Sequence, residues 1–235
     1  STGVSLLNLD SRKYDHFNSI NTGLGKGPYK AIYRSIKNKI YLASGDGGLY
    51  YPIVKSDGNY DFKPIKHNEK LKNNVESYIT SISQISADVL WIGTYGNGIV
   101  SFNIKTGATF NFDENQGLPN NVVYGILKDP FKKFWLSTNR GITRFDPELK
   151  TVTNYTEFDG LQSNEFNTGS YFLAGNGTMF FGGIKGLSYF NPALIKNNNI
   201  LPKIVLTKLY INRKEIFAGS ELTPHHIAST QDLVL

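Results

Sequence analysis

The chain has 235 residues, 40% apolar and 13% aromatic, with a formal net charge of +6 and no cysteine. That length can bury one large core or two smaller ones, and the lack of cysteine excludes disulfides and thiolate metal ligands. No run approaches the roughly eighteen apolar residues that a membrane helix needs. The start, STGVSLLNLDSRKYD, has neither the basic nor the apolar region of a signal peptide.

In chain order, 4–9 and 13–17 read as two short strands. A group of four follows near 30–36, 39–44, 48–54 and 59–65, with Asp57-Gly58-Asn59 as a hairpin turn and Pro52 in or at the end of its third strand. Further groups cover 75–112, 122–157 and 166–211. Val, Ile, Tyr, Phe and Trp fill the runs, while Gly, Asn, Asp and Pro break them, which is the chemistry of short antiparallel strands. Lys196 to Asn199 reads as a linker. Beyond Pro202 the near-alternating Ile204, Leu206, Leu209 and Ile211 form a strand that either finishes the last group or begins a new domain. What remains to Leu235 is too short for an immunoglobulin-like sandwich, which needs about 100 residues.

The groups are copies of one stretch, clearest from Gly117 to Phe145. YLASGDGGL at 41–49 matches WIGTYGNGI at 91–99, WLSTNRGI at 135–142 and FFGGIKGL at 180–187. The glycines leading each third strand are Gly48, Gly98, Gly141 and Gly186, with a remnant at Gly3, so the steps are 45, 50, 43 and 45 residues. Gly23-Leu24, Gly117-Leu118 and Gly160-Leu161 mark the turn ahead of each group, with Lys70-Leu71 a degenerate copy. A period in the forties, built of short strands and tight turns, predicts an all-β protein: a β-propeller of four-stranded blades. The count is about four whole blades plus a partial one, over 1–199. Either this is part of a larger propeller, or it is a closed ring of four or five blades.

GLPNNVVYGILKD and FWLSTNRGITRFDP resemble the two-component regulator propeller repeat. FDGLQSNEFNTGSYFLAGNGTMFFGGIKGLSYFNP, 158–192, is similar to the last blade of such a propeller. PKIVLTKLYIN, 202–212, resembles the first strand of the immunoglobulin-like domain that follows it, so 200–235 reads as a final strand and the start of that domain, or a linker. The resemblance implies the periplasmic, extracytoplasmic part of an inner-membrane hybrid two-component histidine kinase, and hence a piece of a longer protein. It further implies a sensor that is not an enzyme, a homodimer in the full-length receptor, membrane contact only through downstream segments, and a propeller of about seven blades.

Other signals carry little chemistry. Gly23-Leu-Gly25-Lys26-Gly27 lacks the spacing and helix of a phosphate loop. Asp113, Asn115 and Gly117 copy part of a calcium loop without its remaining ligands. His225-His226 on a strand face opposite ways, so no metal site is expected; no cofactor is expected either. Glu157, Asp159 and Glu165 form a carboxylate group that suits either acid–base catalysis or turn capping. The lysines at 63, 66, 70 and 72 and at 128, 132 and 133 read as a solvated surface, with no nucleic-acid partner. Trp91 and Trp135, equivalent to Tyr41 and Phe180, read as core between blades.

What is left is a surface. In a propeller, the turns between second and third strands and the loops into each innermost strand meet around the axis. Those turns differ from blade to blade, as recognition loops on a rigid scaffold do. The expected ligand-binding residues are Asp46, Tyr95, Asn97, Asn139, Arg140 and Lys185, with Asn121, Asn164 and Glu165 from the loops. Asn is equally a turn residue. The expected ligand is an oligosaccharide or another small polyhydroxylated or acidic molecule. The alternatives are a propeller lyase or hydrolase acting on polysaccharide, and a structural dimerisation scaffold.

Overall fold

The computed structural model describes residues 3–75, 78–195 and 208–217. The chain divides into two compact units, Ser1–Ile195 and Lys196–Leu235. In the first, β1 (Val4–Leu7) and β2 (Tyr14–Phe17) pair as an antiparallel ribbon. The first blade follows as β3 (Tyr29–Arg34), β4 (Ile40–Ser44), β5 (Leu49–Val54) and β6 (Tyr60–Pro64). An eight-residue helix, α1 (Asn68–Val75), leads to the second blade: β7 (Ile79–Ser86), β8 (Val89–Thr94), β9 (Ile99–Asn103) and β10 (Thr109–Phe112). The third is β11 (Val123–Lys128), β12 (Phe134–Thr138), β13 (Gly141–Asp146) and β14 (Thr151–Tyr155). The fourth shows three described strands, β15 (Phe166–Leu173), β16 (Met179–Gly183) and β17 (Gly186–Phe190). This is the β-propeller the repeat predicts, each blade an antiparallel meander. In the second unit, β18 (Leu209–Ile211) and β19 (Lys214–Ile216) form a hairpin. Leu209 and Ile211 therefore pair locally, while Ile204, Leu206 and the two adjacent histidines lie outside the described residues.

The core sits between blades, because alternate residues of a strand face opposite ways. Leu90 and Ile92 of β8 pack back with Tyr41, Ala43 and Leu49 of the first blade. Trp91, between them in sequence, packs forward on Phe134, Leu136 and Phe145 of the third. Trp135 repeats this one blade on, against Phe166, Met179 and Phe181. Trp91 is 8% exposed and Trp135 1%, as expected of inter-blade core. Each large apolar side chain buried this way contributes about 1.5–3 kcal/mol, whereas an exposed ion pair contributes about 0–1. Stacking of sheets, not charge pairing, holds the blades together. Phe180 departs from the pattern. It is half-buried and stacks on Tyr189 of its own blade at 5.9 Å, with no further sheet over that face among the described residues.

One local feature differs from the sequence reading, and one bears it out. The segment containing Lys70-Leu71 and Asn73-Asn74 is helical, not a turn. Leu71 and Val75, four residues apart, share one helix face and are fully buried, but eight residues are too few for a periodicity to show in the sequence. Pro52, which has no N–H to give, sits where β5 has already left β4. That ladder ends at Leu42–Tyr50, and Pro52 opposes only Phe62 of β6.

Candidate functional site

The innermost strand of every blade carries a bulge near its start. Pairing shifts register between Tyr29 and Ala31, Ile79 and Ser81, Val123 and Gly125, and Phe166 and Tyr171. A bulge re-aims the extra side chain away from the alternation of the sheet. In the third blade the re-aimed residue is Tyr124.

The loops into β11 and β15 share one construction. Asp113 and Thr156 open short 3-10 turns that end at Gly117 and Gly160, both left-handed, with φ of 109° and 95°. Seven residues beyond the first turn residue, an asparagine closes the loop. The Asn121 side-chain oxygen accepts from the Glu114 N–H at 2.8 Å, and that of Asn164 from the Glu157 N–H at 3.0 Å. The carbonyls of the same two asparagines accept from Gly98 and Gly141, at 2.8 and 2.7 Å. The β8–β9 and β12–β13 turns are thus tied to the next blade's loop.

Upon this frame three tyrosines meet. Tyr95, at the end of β8, stacks on Tyr78 with ring centroids 4.8 Å apart and 22° between planes. Its other neighbour is Tyr124, edge-on at 6.3 Å and 60°. A single antiparallel backbone bridge joins Tyr95 to Val122. The Tyr124 hydroxyl donates to the Asn139 side-chain oxygen at 2.9 Å. Burial pushes the Tyr124 phenol up from its ordinary value. The Asn139 hydrogen bond opposes this, and the charges of Tyr95 and Glu165 add to it, so the group stays protonated over the physiological range. Burial likewise raises the Tyr78 phenol, with Tyr95 and Tyr124 contributing.

The other expected residues take separate places. Asp46 forms an ion pair with Lys72 of α1 at 2.8 Å and accepts from the Ser44 hydroxyl. Burial works to raise the Asp46 carboxyl, but the Lys72 and Ser44 hydrogen bonds outweigh it and hold it below the usual carboxylate range. Asn97 donates from its side chain to the Asn74 carbonyl at 3.4 Å. The Arg140 guanidinium reaches the Pro119 carbonyl at 3.4 Å, not the tyrosines. Lys185 is exposed, its backbone N–H held by Gln162 at 2.7 Å. Glu165 is exposed, and its carbonyl accepts from Ile184. Glu157 and Asp159 are engaged within their own turn, by Asn164 and by the Thr156 N–H. Asp113 caps its turn through the Asn115 N–H at 2.7 Å. Among the described residues no group of three or more His, Asp or Glu is placed to hold a metal.

Of the expected set, Tyr95 and Asn139 come together through Tyr124. Tyr78 and Tyr124 escaped the sequence reading: Tyr78 stands just ahead of β7, and Tyr124 is re-aimed by the β11 bulge. A hollow of about 440 Å³ lies elsewhere. Trp135, Tyr155, Tyr189 and Phe190 line it, beside β17.

The fold and its loops define a β-propeller segment of the kind found in bacterial sensors. The two component regulator propeller family model matches residues 117–140. A histidine kinase P4 of Formosa agariphila is 35% identical over 122 residues, 51% of this chain and 9% of that protein. The extracellular domain of the putative hybrid two component system BT3049 from B. thetaiotaomicron superposes with a TM-score of 0.71 and 25% identity, over 92% of this chain and 30% of that one. That of BT4673 from the same organism does so at 0.61 and 20%, over 80% and 24%. The chain therefore spans under a third of these solved relatives and a tenth or less of the curated one. No helix among the described residues is long and apolar enough to cross a membrane.

Proposed function

We propose that this propeller segment is a non-catalytic sensing module in the periplasmic region of a hybrid two-component regulator. It binds a glycan-derived small ligand on its loop face and passes that event to a cytoplasmic kinase. The observation that carries this reading is the division of labour on that face. Asn121, Asn164 and the lead glycines form a frame repeated from blade to blade, while Asp46, Tyr95, Asn97, Asn139, Arg140 and Lys185 vary upon it. A rigid scaffold with variable turns is how recognition is built. The extracellular placement of the two-component relatives supports the location. Of the three carboxylates that an enzymatic reading needs, Glu157, Asp159 and Glu165, the first two are occupied in capping, which favours recognition over hydrolysis. In the full-length receptor this module works as a homodimer, with membrane contact supplied by other segments.

The test is kinase autophosphorylation by the full-length receptor, assayed against a panel of plant, algal and host oligosaccharides. A ligand that changes phosphorylation and is recovered intact supports the reading. Cleavage of the ligand by the purified protein overturns it in favour of an enzyme.

A further inference from the structure

Away from the loop face, we propose that a hollow between the first and second blades binds a small carboxylate, of the kind a uronic acid carries. The hollow, about 180 Å³, is lined by Lys39, Tyr41, Tyr51, Ile65, Lys66 and Ile104. It opens where β5 has left β4: their ladder ends at Leu42–Tyr50, and Tyr41 and Tyr51 are the next residues along. Tyr41 is only 5% exposed. Among the described residues nothing hydrogen-bonds its hydroxyl, which is not sealed from solvent. Burial pushes this phenol up, with Tyr51 adding to the shift, so it remains a donor. Lys39 and Lys66 are exposed, and neither forms an ion pair among the described residues. Two ammonium groups and a buried residue's hydroxyl therefore border one hollow that supplies them no acceptor.

The third blade shows what fills the same place. There Asp129 accepts from the Trp135 indole N–H at 3.0 Å, and Asp146 pairs with the Lys133 ammonium. By the repeat, Ser35, Lys39, Tyr41 and Ile53 stand where Asp129, Lys133, Trp135 and Asp146 stand. The Ser35 hydroxyl accepts from the Lys39 N–H at 2.9 Å, as Asp129 does from Lys133. The first blade thus keeps the turn and the lysine but has lost both carboxylates. A donor held largely out of water without an acceptor is unfavourable, so a ligand carboxylate that replaces the missing acids is stabilised. Asp88, whose carbonyl accepts from the Ile104 N–H at 3.0 Å, cannot take that role: Lys37 and Lys105 hold its carboxylate at 3.1 and 2.8 Å. Tyr51, Ile65 and Ile104 give an aromatic and apolar wall for the ring that bears the acid. A volume this far below the roughly 300–1,000 Å³ of drug-sized pockets suits one ring and not a chain.

Calorimetry on the protein tests this with glucuronate and galacturonate against glucose, galactose and a glucose sulfate ester. The expected result is binding of a uronate that weakens as salt rises from about 0.05 to 0.5 M, with the neutral sugars at least about tenfold weaker. Tyr41→Phe removes the hydroxyl alone, and Lys39→Met keeps the aliphatic stem. Each should weaken uronate binding at least about fivefold. Ile53→Asp, which returns an acid to Lys39, should weaken it as well. Melting temperatures near that of wild type separate loss of a contact from loss of the fold. Equal affinity in Tyr41→Phe and Lys39→Met overturns the site, and so does equal binding of neutral sugars, a preference for the sulfate ester, or no uronate binding at all. The loop-face reading is decided separately, by phosphorylation of the full-length receptor.

Discussion

The backbone N–H of Gly141 donates to the carbonyl of Asn164 across 2.7 Å, and Gly98 does the same to Asn121 at 2.8 Å. The two landmarks that make the repeat visible, a glycine and an asparagine 23 residues on, are thus partners in one hydrogen bond between successive blades. Gly141 has φ of 96°, in the left-handed region, and a methyl group there would overlap the Tyr155 carbonyl oxygen.

Gly141→Ala should therefore destabilise the propeller by more than the 1–3 kcal/mol typical of left-handed strain alone. Gly160→Ala is the matched control. Its φ is 95°, but nothing lies within 4 Å of the added carbon, so the cost should stay near 1 kcal/mol. Denaturant titration of both variants checks this, and equal losses would show that the close approach to Tyr155 has no effect.

Trp135→Ala removes the largest side chain of the interface between the third and fourth blades, where truncation costs about 3–5 kcal/mol. Phe180→Ala, at the same repeat position but half-buried, should cost clearly less. Thermal melts of the two variants decide whether the position or its cover sets the energy.

Asp129 lies buried at 2% exposure and accepts from the Trp135 indole N–H at 3.0 Å and from the Phe131 and Lys133 N–H groups at 2.9 Å. Asp129→Ala leaves three donors without that acceptor, so stability should fall by about 1–3 kcal/mol for the buried indole alone. Asp129→Asn should recover part of the loss, because its side-chain oxygen still accepts. Guanidinium unfolding followed by tryptophan fluorescence reads both variants.

The Asp46–Lys72 pair should leave a signature in pH. The Asp46 carboxyl lies below its ordinary value of 3.8, so its contribution is present above that pH and is lost as pH falls through the folded value. The Lys72 ammonium lies above 10.5, chiefly through its hydrogen bond to Asp46, so its contribution is complete below that pH and fades as pH rises through the folded value. With the Asp46 side chain 39% exposed, the pair contributes at most about 1 kcal/mol. Asp46→Asn should lower the stability plateau between these limits and converge with wild type in strong acid. Melting temperatures across pH reveal it, and parallel curves at every pH would exclude the pair as the cause.

Repetition carried the fold. Trp91, Trp135, the lead glycines and the Gly-Leu turns recur in register, and a four-stranded blade is what such a period builds, so architecture and inter-blade core were legible without coordinates. Their chemistry is local: strand propensity, turn geometry, and an aromatic that must be buried somewhere. The recognition face was legible only as a set of turns. That Tyr95 stands with Tyr78 and Tyr124, and that Arg140 turns away to Pro119, depends on one-residue bulges and on contacts between residues of neighbouring blades. Helix α1 likewise exists because Leu71 and Val75 find a buried face to fill. A single extra residue in a strand reverses every side chain after it, and only the packed blades decide where it is inserted.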